Sequence, residues 1–225
     1  MTASREGNPL DFLSQLTDGE REAFRLAGRV RRFSRGETVF HEGDDPGGVI
    51  AIVSGRAKVS AAGASGREVV LRFAGAGELV GELSAIAGRP RTATVTALEA
   101  LETIAMRTGD FRRFVAEQPR VAPLVFERLA LLLAEADRQL VDFATRDVTA
   151  RIAGRLLELA ETSGERVDDV VRITLAITQD ELGAWAGASR EAVARSLHLL
   201  RQLGWIETRR RDIRVLNADG LRSLL

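Results

Sequence analysis

Cysteine is absent from the 225-residue sequence. Its absence excludes a disulfide framework, a zinc site built from thiolates, a cysteine-ligated iron–sulfur cluster and a thiol redox switch, and it is typical of an intracellular protein. An excess of one charge is also missing, because 32 basic and 32 acidic residues give a formal net charge of zero. A basic surface for nucleic acid therefore has to be local.

Long hydrophobic runs are missing as well. No stretch approaches the ~20 apolar residues of a membrane span, and the start M-T-A-S-R-E-G-N-P-L lacks the apolar segment of a signal peptide. We therefore expect a cytoplasmic protein with no membrane partner. Lysine is nearly absent, because Lys58 is the only one. Arginine thus supplies almost all cations, and each arginine must be interpreted from its context.

Glycine turns and short alternating segments dominate residues 30–106. Several short strands at regular spacing favour a small antiparallel barrel or jelly roll. A helix is predicted before it, over residues 9–28, in which Thr17 and Glu20 have the spacing of a capping box. Gly43, in an early turn of the barrel, is expected to have a positive φ. At this length we expect two domains.

The segment G-E-L-S-A-I-A-G-R-P-R-T-A-T-V, residues 81–95, carries a carboxylate and a guanidinium on either side of a Gly-Pro turn. Glu82 can accept hydrogen bonds from ribose hydroxyls, and Arg91 offers a planar fork of donors that fits phosphate oxygens. A solvated salt bridge between the two is the alternative interpretation. The predicted ligand-binding residues of this segment are Gly81, Glu82, Leu83, Ser84, Arg91 and Thr92.

Apolar residues recur with an alternating spacing of four and three along residues 120–144. This is the seam of a heptad repeat, on a helix roughly 35 Å long at ~1.5 Å per residue. A seam of this kind packs against a second helix, and we expect a parallel homodimer. The alternative is that the seam packs only on its own barrel. The predicted dimer interface comprises Phe126, Leu129, Leu133, Ala136, Leu140 and Phe143.

A helix-turn-helix is predicted in the last quarter of the sequence. Thr178 and Glu181 have the spacing of a capping box for its first helix, which ends at a turn at Gly187. Ser189 is placed to cap the second helix. Two strand-like segments then flank the arginines at 209–211, a pattern typical of the β-wing of a winged helix.

The N-terminal end of the second helix is the part that enters a DNA major groove in this motif. Arginine suits guanine O6 and N7, and glutamate can accept a hydrogen bond from cytosine N4. The alternative is a solvated helix face with an ion pair between Glu191 and Arg195. We predict base contacts by Arg190, Glu191 and Arg195, and phosphate contacts by Gln179, Ser189, Arg209, Arg210 and Arg211.

Together these segments resemble the CRP–FNR superfamily of bacterial transcription regulators, and within it the catabolite activator type. The resemblance rests on Gly-Glu at the start and Pro-Arg-Thr-Ala near the end of residues 81–95, on the heptad seam, and on G-A-S-R-E at 187–191. It implies an α+β fold. Its parts would be a cyclic-nucleotide-binding β jelly roll (residues 1–118), a dimerisation helix with its hinge (119–145) and a winged helix-turn-helix (146–225).

The function implied by the resemblance is that of a homodimeric, allosterically controlled transcription regulator rather than an enzyme. Its partners would be a cyclic nucleotide, double-stranded DNA with palindromic TGTGA-like half-sites, and RNA polymerase. Neither a metal nor a covalent cofactor is expected, and no catalytic residue is predicted. A nucleotide-hydrolysing enzyme would need a metal cluster or a positioned nucleophile, which two isolated histidines without any cysteine do not provide.

Two positions leave the effector open. Ala136 and Asp137 stand where the catabolite activator type offers a hydroxyl pair to the adenine ring. We still assign both to ligand binding, because Ala136 leaves space for a purine and Asp137 could supply a hydrogen bond. Cyclic AMP is the expected effector. Cyclic GMP is an alternative, since Thr92 resembles a residue of some cyclic-GMP-selective domains, and a regulator that senses another metabolite or no ligand is a further one.

Overall fold

The computed structural model describes residue 8 and residues 10–64, 66–168, 170–209 and 212–225. Helices and antiparallel sheets occur together in these ranges, which confirms the α+β class. The chain divides into two compact units, Met1–Glu135 and Ala136–Leu225. The finer division at residues 118 and 145 stays a prediction. None of the described helices has both the length and the apolar character of a membrane span.

Two β-sheets form the centre of the first unit. Its elements are α1 (Phe12–Gln15), α2 (Asp18–Ala27), β1 (Arg29–Phe33), β2 (Thr38–Phe40), β3 (Gly48–Ser54), β4 (Ala57–Ala62), β5 (Glu68–Ala74), β6 (Leu79–Val80), α3 (Glu82–Ala87), β7 (Thr94–Ala97), β8 (Leu101–Arg107), α4 (Thr108–Glu117) and the beginning of α5 (Val121–Thr145). The antiparallel sheets have the strand orders β1-β8-β3-β6 and β2-β7-β4-β5. One apolar cluster takes side chains from all eight strands, so the sheets pack face to face as a jelly roll.

Turn and cap residues account for how this unit begins. The predicted helix over residues 9–28 is two helices, because Thr17 is extended between α1 and α2, with φ −62° and ψ 163°. Thr17 nevertheless forms the predicted capping box with Glu20, since its amide donates to the Glu20 carboxylate at 2.8 Å and its Oγ1 accepts from the Glu20 amide at 3.3 Å. Gly43 has the expected positive φ, at 85°.

The second unit contains the predicted helix-turn-helix and wing. Its elements after α5 are α6 (Val148–Ser163), β9 (Gly164–Val167), β10 (Val170–Ile173), α7 (Gln179–Ala186), α8 (Arg190–Gln202), β11 (Ile206–Arg209), β12 (Asp212–Val215) and α9 (Ala218–Arg222). The four strands form one antiparallel sheet in the order β11-β12-β10-β9. Strands β9 and β10 were not predicted, because each has only four residues and neither shows a clear alternation of apolar and polar side chains.

Local hydrogen bonds set the ends of α7 and α8. Thr178 Oγ1 accepts from the backbone amide of Glu181 at 3.1 Å, which confirms the second capping box. Ser189 Oγ accepts from the amide of Ala192 at 3.2 Å, so Ser189 caps α8 as predicted. Between the two helices, Gly187 has a φ of 60°, a conformation that glycine adopts without strain.

Helix α8 offers a matched test of the core of this unit. Leu200 is fully buried, whereas its neighbour Leu199 is 44% exposed. We expect Leu200→Ala to lower the free energy of unfolding by about 2–5 kcal/mol, because it leaves a cavity in a packed core. Leu199→Ala should change it by roughly 0.5 kcal/mol or less. Urea unfolding followed by circular dichroism measures both, and equal losses for the two variants would contradict this packing.

Candidate functional site

The segment 81–95, called the cassette below, begins at a turn that is built around Arg91. Gly81 has a φ of 81° there, and its carbonyl oxygen accepts a hydrogen bond from Nη1 of Arg91 at 2.9 Å. A Cβ atom at Gly81 would collide with that guanidinium. Glycine is therefore required at position 81 for two reasons, the left-handed backbone conformation and the close approach of the arginine.

Arg91 is buried without a full set of hydrogen bonds. The residue is 6% exposed, its guanidinium stacks on the ring of Phe40 at 4.1 Å, and its Nε has no partner in the described part of the chain. Burial lowers the pKa of Arg91, whereas the carboxylates of Asp44 and Glu82 oppose this shift. Since a buried donor without an acceptor is destabilising, this arginine is suited to bind an anion.

Short helix α3 points polar residues of the cassette into the protein. Glu82 is 3% exposed, and its carboxylate makes no hydrogen bond with a described residue. Ser84 is 2% exposed and donates from Oγ to the carbonyl of Pro90 at 3.2 Å. Leu83, at 49% exposed, and Thr92 lie at the surface. Glu82 and Arg91 are thus both buried and not paired with each other, which argues against a solvated salt bridge.

An open cleft of about 420 Å³ adjoins Arg91. The charged residues that line it are Arg29, Arg31, Asp44, Asp45, Arg91 and Arg107. Arg29, Arg31 and Arg107 form no ion pair with another described residue, so positive charge prevails in the cleft. Its size and charge suit an organic phosphate. The described ranges contain no group of three or more histidine, cysteine, aspartate or glutamate residues that could hold a metal ion.

The predicted seam on α5 is exposed along most of its length. The exposed residues on this face and beside it are Phe126 (67%), Leu133 (65%), Ala136, Asp137 and Leu140 (68%). Leu129 is half-buried, because it packs against the apolar cluster beneath α4 and α5. Packing on the chain's own barrel therefore buries only a small part of the seam. A continuous apolar stripe of this kind marks an interaction surface.

Phe143, the last residue of the predicted seam, has a contact within its own unit. The guanidinium of Arg151 lies 5.4 Å from its ring centroid, and a Cβ at Gly187 would collide with the ring. Phe143 therefore packs on the turn of the helix-turn-helix, a contact that the heptad spacing did not indicate. Because the side chain is 40% exposed, its place in a dimer interface stays a prediction.

Helix α8 presents the predicted base-reading residues to solvent. Arg190, Glu191 and Arg195 are all exposed, and Arg190 lies 3.8 Å from Asp180 in a surface ion pair. Hydrogen bonds from its own backbone amide and from Ser189 lower the pKa of Glu191, so the carboxylate is an ionised acceptor at neutral pH. Glu191 and Arg195 are not in direct ion-pair contact, although the charge of Arg195 also contributes to lowering the pKa of Glu191, as the alternative interpretation implies.

The predicted phosphate-binding residues frame α8. Gln179 begins α7, Ser189 caps α8 and Arg209 ends β11, and all three are exposed. Arg210 and Arg211 lie outside the described residues. The described positions and the predicted base-reading residues all belong to the second unit, and their contacts with bases and backbone of a duplex stay a prediction.

A carboxylate in the wing was missed by the sequence analysis. Asp212 accepts a hydrogen bond from Nε of Arg172 at 3.0 Å and lies 3.3 Å from Nε of Arg214. The hydrogen bond from Arg172 is the main reason that the pKa of Asp212 is lowered, and Arg214 adds to it. Two of the arginines on this sheet are thereby paired. Nothing in the local sequence around Asp212 indicates a partner forty residues away.

A second missed residue is Arg128, on the buried side of α5. It is 3% exposed and lies 3.5 Å from the carboxylate of Glu78, which also accepts from Arg72 at 2.7 Å. An arginine next to a leucine seam indicates a solvated position when only the helical period is considered. Its burial depends on strands that are distant in sequence, so the period alone could not reveal it.

Two family profiles match the chain. A cyclic nucleotide-binding domain matches residues 30–118, and a Crp-like helix-turn-helix domain matches residues 150–224. The first includes the whole cassette, and the second includes α7, α8 and the wing.

Named relatives and a solved structure are similar over most of the chain. A CRP-like cAMP-activated global transcriptional regulator of Mycobacterium tuberculosis (strain CDC 1551 / Oshkosh) is 31% identical over 189 residues, 84% of either chain. The Cyclic AMP receptor protein of Thermus thermophilus is 31% identical over 174 residues, 77% of either chain. The structure of CLP, a c-di-GMP responsive global regulator of Xanthomonas campestris, is 25% identical with a TM-score of 0.79, covering 88% of this chain and 99% of that one.

Proposed function

The chain belongs to the CRP–FNR superfamily of transcription regulators, and we propose that it is a homodimer whose binding to palindromic DNA is controlled by a cyclic nucleotide. Cyclic AMP is the first candidate. In this proposal the protein is a cytoplasmic binding protein rather than an enzyme, and RNA polymerase is a further partner. The observation that carries the proposal is a buried guanidinium and a buried carboxylate in one cassette, Arg91 and Glu82, and the Nε of Arg91 has no hydrogen-bond partner among the described residues.

The chemistry of a cyclic nucleotide matches these two groups. Its phosphate is an anion that accepts hydrogen bonds from the Arg91 fork, and its ribose 2′-hydroxyl can donate to Glu82. Gly81 brings the backbone of the turn close to the arginine, and the hydrogen bond from Ser84 to the carbonyl of Pro90 connects α3 with the residue before Arg91. Relatives named for activation by cAMP support this assignment.

Contacts to the base are assigned to α5. Ala136 and Asp137 are both exposed on the second-unit part of that helix. In the proposal Ala136 provides space for the purine and Asp137 accepts from its amino group. An ionised carboxylate only accepts hydrogen bonds, so it would favour an exocyclic amine over a carbonyl.

Cyclic di-GMP is the second candidate effector. Four arginines line the cleft beside the cassette, and Arg29, Arg31 and Arg107 are not neutralised by ion pairs. A ligand with two phosphates would engage more of these charges than cyclic AMP does. The structural relative CLP is described as responsive to c-di-GMP, which supports testing this nucleotide beside cyclic AMP.

The first prediction tests the nucleotide site. Arg91→Ala and Glu82→Ala should each weaken cyclic AMP binding by at least about tenfold, because each removes a charge-assisted hydrogen bond worth roughly 1.5–3 kcal/mol. Arg89→Ala is the matched control, since Arg89 is exposed in the same cassette. Calorimetric titration with cyclic AMP and cyclic di-GMP measures affinity and effector choice together. Unchanged curves for both site variants would remove the basis of the assignment.

The second prediction concerns the dimer. We expect a particle of about twice the 24.4 kDa chain mass. Leu133→Glu should give monomers or aggregates, because it places like charges against each other in an apolar seam. Leu26→Glu is the control, since Leu26 on α2 is 71% exposed against 65% for Leu133 and lies off the seam. Sedimentation velocity at micromolar concentration measures the oligomeric state of wild type and both variants, and a monomeric wild type contradicts the proposed homodimer.

The third prediction concerns DNA. A two-fold dimer should bind an inverted repeat of TGTGA-like half-sites whose centres lie one helical turn, about 34 Å, apart. Arg195→Ala should reduce the preference for this site over scrambled DNA by roughly 1–3 kcal/mol, whereas Arg209→Ala should weaken binding to both sequences alike. Fluorescence anisotropy with and without cyclic AMP measures these affinities. A wild type without preference for the repeat in either condition would refute DNA-sequence recognition.

A further inference from the structure

A buried arginine of α5 holds the strand that leads into the cassette. Arg128 is 3% exposed. It donates hydrogen bonds to the backbone carbonyls of Leu10 and Leu79, the second at 2.6 Å. Leu79 begins β6 and precedes Gly81 by two residues. Arg128 therefore connects α5 directly with the backbone from which the cassette starts.

The carboxylate of Glu78 keeps this guanidinium in one place. Glu78 is 3% exposed, its Oε2 lies 3.5 Å from Nη2 of Arg128, and the same oxygen accepts from Arg72 at 2.7 Å. Its Oε1 accepts from the side chain of Asn8 and from the amide of Gly75, both at 3.1 Å. A buried network with this many fixed members favours one arrangement over its alternatives.

Two buried guanidinium groups thus hold carbonyls that are two residues apart. Arg128 binds the carbonyl of Leu79, and Arg91 binds that of Gly81. A phosphate bound by Arg91 would compete for the Nη1 donor that binds the carbonyl of Gly81. Anion binding would therefore alter the hydrogen bonding of the backbone at Gly81. Arg128 is almost fully buried, so water is not available to replace a broken bond there, and a displacement of Leu79 would require Arg128 to follow or to lose a hydrogen bond.

We propose that Arg128 is a positioning residue that couples the nucleotide site to helix α5. This inference rests on the proposed function. Nucleotide binding at Arg91 and the packing of α5 would bias the same piece of backbone, and the coupling would act equally in both directions. A helix that makes two contacts with the start of a binding segment is a physical connection through which binding at one site can change the affinity at another.

A matched pair of arginines tests the proposal. Arg72 also donates to Glu78 and to the Leu79 carbonyl, at 2.7 and 3.3 Å, but it comes from β5. The readout is the ratio of operator affinities with and without saturating cyclic AMP, measured by fluorescence anisotropy. We expect Arg128→Gln to lower this ratio by about tenfold or to bring it to one, and Arg72→Gln to leave it near the wild-type value. A purely structural role would lower the melting temperature and leave the ratio unchanged.

Each outcome decides the question. If Arg128→Gln keeps the wild-type ratio, or if both variants lower it equally, the inference is overturned while the proposed function stands. If wild type binds cyclic AMP and operator without any coupling, nucleotide control itself fails, and the inference fails with it. If Arg128→Gln does not fold, Arg128→Lys takes its place, because lysine keeps the charge but cannot bind both carbonyls and Glu78 at once.

Hydrogen exchange on the wild-type protein provides a measurement that needs no variant. Addition of cyclic AMP should change amide exchange in the peptide that contains Gly81 and Glu82 together with the peptide around Arg128. A change confined to the cassette would contradict the coupling, since α5 would then not sense the ligand. Loss of the α5 response in Arg128→Gln, with the cassette response retained, is the expected result.

Discussion

The hydrogen bond from Arg91 to the carbonyl of Gly81 is the contact on which the rest of the proposed nucleotide site depends. It joins the two ends of the segment 81–91, so the residues between them form a closed loop in which α3 can point Glu82 and Ser84 inward. The guanidinium has lost its water, and burial lowers the pKa of Arg91. A charge in this position needs acceptors, and the loop supplies only part of them.

The unit contains a second buried guanidinium, that of Arg128, whose two Nη atoms have acceptors and whose Nε has none among the described residues. Arg128 reaches two carbonyls and a carboxylate, and the carboxylate of Glu78 is in turn bound by four groups. Breaking one member of such a network leaves the others buried and unpaired, which is more destabilising than the loss of a surface ion pair. The network is therefore suited to fix the position of β6, on which the turn at Gly81 depends.

Features that depend on neighbouring residues could be predicted from the sequence. The capping boxes at Thr17 and Thr178 and the cap at Ser189 each follow from a side chain and a backbone amide a few residues apart. The break between α1 and α2 follows from the same rule, because a cap residue is extended. The positive φ of Gly43 follows from a glycine placed in a turn. The cassette was recognised through its spacing, but α3 was not, since six residues between two glycines show no helical period.

Features that depend on distant strands could not be predicted in this way. Arg128 is separated from Glu78 by 50 residues and Arg172 from Asp212 by 40, and neither pair has a local pattern. Phe143 fits the heptad spacing, yet its ring packs against Gly187 in the helix-turn-helix. A periodic pattern identifies the face on which a residue lies. It does not identify which element covers that face, because packing is decided by the whole unit.

A formal net charge of zero places a further demand on DNA binding. Without a global positive field, affinity for a duplex has to come from the few arginines near α8 and the wing, and Asp212 pairs two arginines of that sheet. One copy of the second unit therefore offers few phosphate contacts. In the proposed dimer the two recognition helices act on one duplex, so the second contact benefits from a high effective concentration. The exposed seam at Leu133 and Leu140 and the small number of cations around α8 both favour a dimer. A monomer would leave the seam uncovered and would have too few phosphate contacts for tight binding.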